Sequence, residues 1–325
     1  MAHVACGIDI GGSGVKGALV DLETGEYIGN QVRIPTPDPA TPDAVAAVCR
    51  EVIDQLDVKI GVPIGVTFPA PVFDGVIPYM ANLDQSWVNI DVDELMERYL
   101  GRSVVALNDA DAAGIAEVAY GAAKGRDGVI VFTTQGTGIG SAIIVNGTLL
   151  TNTELGHLEI DGTDAEKNAS SGQKTLQGLD WEQWAQRLQR YYSHVEFLLN
   201  PDLFVVGGGV SENHEKFMPL LDLKTPMIPA KLLNTAGIVG AAYYAAQHSA
   251  GARTHRARRR TPTRVGVLLA SVGLYAGFCH ARRYRSCGGD HLSRTAVTDG
   301  LQQPTRRRRT GRPACCSVLL RVGFT

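Results

Sequence analysis

The sequence predicts an α/β protein made of two related halves with a cleft between them. Residues 4–20 form an apolar strand, a glycine-rich reversal and a second strand, and residues 128–146 repeat that order. A weaker glycine turn at residues 203–211 also follows a short apolar strand. A pattern of strands and helices that restarts in this way is typical of a duplicated α/β fold.

The first half is predicted to alternate strands with helices after an opening run of strands. Thr41-Pro42 predicts the start of the first helix, with Thr41 as N-cap, and apolar residues continue along one face to Leu56. The other predicted elements are strands at residues 4–10, 14–20, 26–35, 60–68 and 103–107, a helix at 92–100 capped by Asp91, and a helix at 110–120.

The second half contains a long helix at residues 181–199 and a last helix at 236–247 that is rich in Ala and Gly. Small residues in the last helix predict close packing. Spacings of three and four in the long helix predict a core-facing stripe of Trp181, Trp184, Leu188, Tyr191, Val195 and Leu198. The domains expected from this pattern are residues 1–110, residues 111–250 and an Arg-rich tail at 251–325.

Charge is divided unevenly along the chain, although the formal net charge is only −2. Residues 250–325 contain 16 Arg, no Lys and two acidic residues, whereas the rest of the chain contains 15 basic and 31 acidic residues. A basic tail can bind nucleic acid, a membrane or a polyanion. It can also be a disordered extension or a reading frame translated out of register. Because Arg is used without Lys, we favour the last interpretation and predict neither a nucleic-acid nor a membrane partner.

The body of the chain has the features of a cytoplasmic protein. Cys6 and Cys49 fall in a predicted strand and a predicted helix without metal-ligand spacing, which suits a reducing compartment. Residues 3–10 lead directly into a strand and not into a secretory signal. The apolar run at residues 265–278 is too short to span a bilayer as a helix.

Asp109 is the candidate general base. It follows a predicted strand, at the end of an α/β sheet where ligands bind, and is preceded by Asn108. Its carboxylate could accept the proton of an attacking hydroxyl. The alternative is that Asp109 only caps the next helix, and Asp111 fits an acidic residue of the first helical turn.

Glu154 and His157 form an ExxH pattern that could recognise neighbouring hydroxyls of a sugar. His157 could also be a structural histidine. No Cys follows within the next hundred residues, so we do not predict a zinc site.

The glycine turns predict phosphate-binding loops, because backbone N–H groups and hydroxyls at such turns bind phosphate oxygens. Neither of the first two turns matches the GxxxxGK[ST] pattern. Asp9, just before the first turn, could hold hydrated Mg²⁺ or simply cap the turn. The polar residues that flank the first two turns are Ser13, Lys16, Thr134, Thr137 and Ser141.

Together these motifs resemble the ROK (repressor, open reading frame, kinase) family of sugar kinases over about residues 3–248. The matching segments are DIGGSGVKGALVD, LNDADAAG, QGTGIGSA, ELGH and VVGGGVS. Within the family, the bacterial polyphosphate glucokinase group is similar in the segments GVTFPAPV, ANLDQSW, NTELGHLEIDG and NTAGIVGAA.

The resemblance implies a duplicated actin/Hsp70-like (ribonuclease H-like) α/β fold of two domains with a central cleft. It further implies transfer of a terminal phosphoryl group from polyphosphate, and also from ATP, to the 6-hydroxyl of glucose. Mg²⁺ would be held near Asp9, no zinc is expected, and the protein would be a homodimer. Asp109 would be the general base.

The resemblance also assigns binding residues by position. The sugar would be held by Asn82, Asn108, Glu154, His157 and Glu166, with Glu166 preferred to Glu159. Phosphate would be held by Gly11, Gly12, Ser13, Lys16, Thr134, Gly136, Thr137 and Gly138, with a nucleotide-side turn at Gly207, Gly208 and Gly209. Two departures are the absence of a cysteine cluster after ELGH and Gln135, where an apolar residue is expected.

Three other functions are compatible with parts of the pattern. An ATP-dependent hexose kinase would use the same loops, and an actin-like ATPase would lack the sugar residues. A sugar-responsive repressor would need a helix-turn-helix ahead of the first strand, for which we expect no room before His3.

A polyphosphate donor would need local cations to offset the acidic body. The candidates are Lys16, Lys124, Arg126, Lys167 and Lys174.

Overall fold

The structure is a computed structural model that describes residues 3–81 and 83–248. Asn82 and the Arg-rich tail, both part of the sequence-based predictions, lie outside the described residues. The expected boundary between residues 110 and 111 stays a prediction.

The first half is a five-stranded mixed sheet with helices packed on it. Its elements are β1 (Val4–Gly11), β2 (Gly14–Asp21), β3 (Tyr27–Ile34), α1 (Pro42–Gln55), β4 (Ile64–Phe68), α2 (Val92–Leu100), β5 (Val105–Asn108) and α3 (Asp109–Ala119). The strand order is β3-β2-β1-β4-β5. β1 pairs antiparallel with β2 and parallel with β4. The carboxyl ends of β1 and β4 therefore lie at the same edge of the sheet.

The second half repeats this topology. Its elements are β6 (Val129–Gln135), β7 (Ile139–Val145), β8 (Thr148–Leu150), β9 (Glu159–Ile160), β10 (Thr163–Asp164), α4 (Glu166–Ala169), α5 (Ser171–Leu176), α6 (Trp181–Leu199), β11 (Leu203–Gly207), β12 (Met227–Pro229) and α7 (Ala236–His248). Its sheet has the order β12-β11-β6-β7-β8, with β6 in the place of β1. The prediction of a duplicated α/β fold is confirmed.

The last helix, α7, returns to the first sheet and packs directly on its backbone. A Cβ atom at Gly65 of β4 would lie 2.0 Å from the Ala241 carbonyl oxygen, and one at Gly240 would lie 1.8 Å from that of Ala112. Only glycine permits these approaches. The close packing predicted from the small residues of this helix is confirmed, and it fixes α7 against both β4 and α3.

Several local predictions need correction. The strand predicted at residues 60–68 begins only at Ile64, and Ile60 is 97% exposed, because Gly61 has φ +91° and Pro63 follows. Thr41 precedes α1 but makes no side-chain capping hydrogen bond. Asp91 does cap α2, accepting from the Glu94 N–H at 3.0 Å.

The core-facing stripe predicted for α6 is confirmed for Trp184, Leu188, Tyr191 and Val195, which are buried. It is wrong for Leu198, which is 49% exposed near the end of the helix. Trp181 is only half-buried.

Among the described residues, no helix is long and apolar enough to cross a membrane.

Candidate active site

Asp109 is the first residue of α3 and lies directly after β5. Asn108, and not Asp109, is the N-cap, because its Oδ1 accepts from the N–H groups of Ala110 at 2.9 Å and Asp111 at 3.2 Å. The interpretation of Asp109 as the cap is therefore wrong. Its carboxylate also accepts from the Ala110 N–H at 2.8 Å. Asp109 as a whole is half-buried.

The surroundings of Asp109 raise its pKa to about 7. Burial is the largest cause, followed by the nearby negative charge of Asp9, with a smaller contribution from Glu154. These interactions show that the structure brings the three carboxylates together. A carboxylate with a pKa near neutrality can accept a proton efficiently at near-neutral pH.

The first glycine turn closes β1 and β2 with the two-residue loop Gly12-Ser13, between the paired Gly11 and Gly14. Asp9 lies opposite Lys16 in this hairpin, and its Oδ2 is 3.6 Å from the Lys16 ammonium. The hydroxyl of Thr67 on β4 donates to Asp9 Oδ1 at 2.8 Å. One carboxylate beside a phosphate-type turn suits Mg²⁺, which keeps most of its water ligands and binds through few protein oxygens.

The second glycine turn contains Gly136, Thr137 and Gly138 and lies between the paired Gln135 and Ile139. Its Gly136 carbonyl accepts from the Gly172 N–H at 2.8 Å and from the Ser171 hydroxyl at 3.0 Å, so α5 supports the turn. Thr134 is half-buried and Thr137 is exposed.

Gln135, where an apolar residue was expected, is fully buried before this turn. Its Nε2 donates to the Tyr192 hydroxyl of α6 at 3.3 Å, which compensates part of the cost of burying an amide. The departure from the family's apolar residue is accommodated because an aromatic hydroxyl from α6 supplies a polar partner.

The third glycine turn, Gly207 to Gly209, presses against the second. Gly208 has φ +82°, and a Cβ atom there would lie 2.3 Å from the Gln135 carbonyl oxygen. Gly209 has open space around its Cα. The structure thus places two of the predicted phosphate-side turns side by side.

The predicted sugar residues of the second half converge around a short 3₁₀ turn, Leu155–His157. His157 Nε2 lies 3.9 Å from Glu154 Oε2, and His157 Nδ1 lies 3.0 Å from Asp164 Oδ2. Glu166 Oε2 accepts from the Ile139 N–H at 3.1 Å, which links it to the second glycine turn. Glu159, the less preferred candidate, is exposed on β9.

The charges in this cluster are coupled. The pKa of Glu154 is raised, chiefly by burial, with the charge of Glu166 adding to the effect. For His157, burial opposes protonation, but the hydrogen bond that Nδ1–H donates to Asp164 and the charges of Glu166, Asp164 and Glu154 outweigh it and raise the pKa. Ligand atoms of His157, Asp164 and Glu166 all lie within 4.8 Å of one another, which would also allow them to bind a cation.

Three further residues of the site were not predicted. Asp164 forms a hydrogen bond with Nδ1 of His157. Tyr79 forms a hydrogen bond with Glu154, and burial together with the Glu154 carboxylate raises the pKa of Tyr79 to about 12. Asn152 binds both backbone groups of Val72, with Oδ1 at 2.8 Å from its nitrogen and Nδ2 at 3.0 Å from its oxygen. The φ of Asn152, +60°, fits a residue type that tolerates the left-handed region.

Asp111 supports Asn152 and is more than a first-turn acid. Its side chain is almost completely buried, and Oδ2 accepts from the Asn152 N–H at 2.7 Å. Burial raises its pKa to about 7. The pair therefore ties α3 to the segment that precedes Glu154.

Two of the predicted cationic residues are far from Asp109. Lys124 and Arg126 follow the C-terminal end of α3, whereas Asp109 begins the helix. Eleven helical residues separate the two ends by roughly 16 Å. The place of both residues in the cationic track stays a prediction.

The fold and the site define a sugar kinase of the ROK type, and the comparison with known families agrees. The ROK family profile matches residues 5–178, which is more than half of the chain. The chain belongs to the ROK family, as the motifs predicted.

Two curated relatives are similar over most of their length. Polyphosphate glucokinase of Mycobacterium tuberculosis (strain CDC 1551 / Oshkosh) is 48% identical over 237 residues, which cover 73% of this chain and 89% of that protein. Polyphosphate glucokinase of Mycobacterium leprae (strain TN) is 47% identical over 241 residues, covering 74% of each chain.

Solved structures show the same fold. An inorganic polyphosphate/ATP-glucomannokinase from Arthrobacter sp. strain KM is 50% identical, has a TM-score of 0.72, and matches 76% of this chain and 100% of its own. A ROK family glucokinase from Streptomyces griseus, in complex with glucose and AMPPNP, is 23% identical and has a TM-score of 0.64. The match covers 75% of this chain and 99% of that chain, and it supports the fold alone. The predicted actin/Hsp70-like sugar kinase fold is confirmed.

Proposed function

We propose that this protein transfers the terminal phosphoryl group of inorganic polyphosphate, and also of ATP, to the 6-hydroxyl of glucose, forming glucose 6-phosphate. The observation that carries the proposal is Asp109, a carboxylate with a pKa raised to about 7 at the end of β5, close to both Asp9 and Glu154. Relatives of 47–50% identity that are named for polyphosphate and glucose support the choice of donor and acceptor.

The acceptor would be held by the ELGH segment and its neighbours. Glu154 and Glu166 would accept hydrogen bonds from sugar hydroxyls, and His157 would contact the sugar through Nε2. Asp164 binds Nδ1 of that histidine, which leaves Nε2 directed to the Glu154 side. Asn108 caps α3 with its oxygen, so only its amide NH₂ would be available to the sugar. Asn82 stays in the proposal on the resemblance alone.

Asp109 would accept the proton of the 6-hydroxyl as the hydroxyl oxygen attacks the terminal phosphorus atom. The bond from that phosphorus to its bridging oxygen breaks, and the shortened polyphosphate or ADP leaves with the electron pair. General-base assistance of this kind typically contributes ~10²–10⁴ to the rate. Positioning and charge neutralisation supply the remainder.

The donor phosphates would lie on the first two glycine turns. Backbone N–H groups of residues 11–13 and 136–138, the hydroxyls of Ser13, Thr134 and Thr137, and the Lys16 ammonium would contact phosphate oxygens. The turn at residues 207–209 would face a nucleotide. We propose Mg²⁺ as the metal, with Asp9 as its protein ligand through water; when bound, Mg²⁺ neutralises charge on the phosphate oxygens.

The test is glucose 6-phosphate production by the purified protein with polyphosphate or ATP as the only donor, each with and without Mg²⁺. Activity with both donors supports the proposal. Activity with ATP alone replaces it with an ATP-dependent glucokinase, and activity with neither donor refutes glucose phosphorylation.

We further propose that the protein is a cytoplasmic homodimer. The exposed apolar side chains of Phe197 and Leu198 on α6, 77% and 49% accessible, are compatible with an association surface. Light scattering at the concentrations used for the assay tests this point, and a monomer mass at all concentrations contradicts it.

A further inference from the structure

Trp181, the first residue of α6, belongs to a cluster of three aromatic rings. Its ring stacks on that of Phe217, with centroids 6.2 Å apart and planes 13° apart, and meets the edge of Trp184 at 6.0 Å. Trp184 and Phe217 are fully buried, whereas Trp181 is half-buried. The two buried rings therefore hold one indole ring in place at the protein surface.

Two lysine ammonium groups lie against this indole ring. Lys174 Nζ is 4.2 Å from the ring centroid, and Lys216 Nζ is 5.3 Å from it. In residues 3–81 and 83–248, neither ammonium forms an ion pair with a carboxylate within 4.0 Å. An aromatic face attracts cations without neutralising them. Two ammonium groups thus lie on one indole ring with no carboxylate oxygen of the described residues within 4.0 Å, which leaves both able to bind an anion.

Both lysines lie on segments that contact the second phosphate turn. Lys174 is in α5, whose Gly172 N–H and Ser171 hydroxyl donate to the Gly136 carbonyl. Lys216 ends the 3₁₀ segment Gly209–Lys216, which begins beside Gly208, the residue in close contact with Gln135. The two ammonium groups are therefore presented by the two segments that border this turn.

Three other cations of the predicted track are differently placed. The Lys16 ammonium lies beside Asp9, and Lys124 and Arg126 follow the opposite end of α3 from Asp109. A polyanion approaching this acidic body needs local positive charge beyond the reacting phosphates. The Trp181 cluster supplies such charge on two segments that contact the second glycine turn or the adjoining Gln135.

We propose that Lys174 and Lys216, held on Trp181, bind the non-reacting phosphates of a polyphosphate chain whose terminal group lies on the second glycine turn. We refer to Lys174, Lys216 and Trp181 as the lysine clamp. The proposal rests on the proposed polyphosphate donor. ATP has no phosphates beyond its own three, so the clamp contributes to long polyphosphate more than to ATP.

The experiment measures KM for long-chain polyphosphate, tripolyphosphate and ATP in Lys174→Gln, Lys216→Gln and the double variant. Lys224→Gln is the matched control, because Lys224 is an exposed lysine in the loop before β12. Loss of one phosphate contact at a partly exposed site raises KM by about fivefold. We expect that rise for long-chain polyphosphate in each single variant, a larger one in the double variant, and changes below about twofold for ATP and for the control.

Ionic strength provides a second measurement. The KM for long-chain polyphosphate in the unaltered protein should rise with salt, and this dependence should become shallower in the double variant because fewer charges are screened. Circular dichroism and melting curves show whether each variant is folded. Equal KM changes for all three donors, or unchanged KM values in folded variants, overturn the clamp.

Failure of the clamp can be distinguished from failure of the proposed donor. If the unaltered protein forms no glucose 6-phosphate from polyphosphate, the proposed donor is wrong. Equilibrium binding of long-chain polyphosphate, followed by tryptophan fluorescence, then tests the clamp directly. A dissociation constant at least fivefold weaker in the double variant supports the clamp, and equal binding by both proteins overturns it.

Discussion

The hairpins β1–β2 and β6–β7 have the same place in their sheets but carry different side chains. In the first, Asp9 lies opposite Lys16, and both charges are close to the turn. In the second, Thr133 lies opposite Ser141. Thr133 shares a 2.7 Å hydrogen bond with the Tyr192 hydroxyl, and Ser141 donates to the Thr153 carbonyl at 2.7 Å.

This difference indicates a division of roles between two copies of one unit. The first hairpin brings charge to the cleft, next to the carboxylate of Asp109. The second uses buried hydroxyls to fix its turn to α6 and to the segment that carries Glu154. Substitution of Asp9 should therefore change turnover, whereas substitutions of the buried hydroxyls of the second hairpin should change sugar affinity or stability.

The largest effect is expected for Asp109→Asn, which keeps a hydrogen-bonding side chain but cannot accept the proton. We expect kcat to fall by ~10²–10⁴ while glucose affinity stays within about tenfold. Steady-state kinetics and glucose binding measure the two effects. Asp111→Asn, two residues later in the same helix, is the control and should retain most of the turnover. Near-normal kcat in Asp109→Asn would remove Asp109 from the role of base.

Asp9→Asn tests the charge of the first hairpin. We expect kcat to fall by about a hundredfold, because the carboxamide is a poorer partner for hydrated Mg²⁺. For the same reason we expect the Mg²⁺ concentration that gives the half-maximal rate to rise. The control, Asp21→Asn, lies at the other end of the same hairpin. An unchanged Mg²⁺ requirement in folded Asp9→Asn would show that Asp9 does not hold the metal.

Much of this site follows from the sequence, and the rest depends on contacts between distant residues. Asp109 is predictable because it follows an apolar strand and precedes a helix. Tyr79, which contacts Glu154, lies in a loop with no motif. Asp164 was missed because its role depends on the β9–β10 turn, which places it beside His157. The polar environment of Gln135 is created by Tyr192, 57 residues along the chain.

The contact between Asp164 and His157 predicts that Asp164 affects glucose affinity. Asp164→Ala should raise the KM for glucose by about tenfold with little change in kcat, because the imidazole loses the carboxylate that orients it. Asp164→Asn, which can still accept from Nδ1–H, should recover part of the affinity. Asp161→Asn removes a nearby carboxylate that pairs with Arg190 and should leave KM unchanged. Equal KM values in all three variants would contradict the orienting role.

The smallest effect concerns the hydroxyl of the second hairpin. Thr133→Val keeps the shape of the side chain but removes the bond to the buried Tyr192 hydroxyl, so the free energy of unfolding should fall by about 1–2 kcal/mol. Urea denaturation measures this, with Thr148→Val on the exposed β8 as control. We expect kcat to stay within about twofold. A large loss of kcat with unchanged stability would mean that Thr133 has a role in chemistry.

The pH dependence of glucose phosphorylation with polyphosphate as the only donor tests the central claim most directly. The raised pKa of Asp109, about 7, means that the carboxylate is protonated below that pH and free to act as base above it. We expect kcat/KM to rise tenfold per pH unit below about pH 7 and to level off above it, and the Asp109→Asn variant to lose this dependence. A flat profile for the unaltered protein, or no glucose 6-phosphate at any pH, would contradict the proposed reaction.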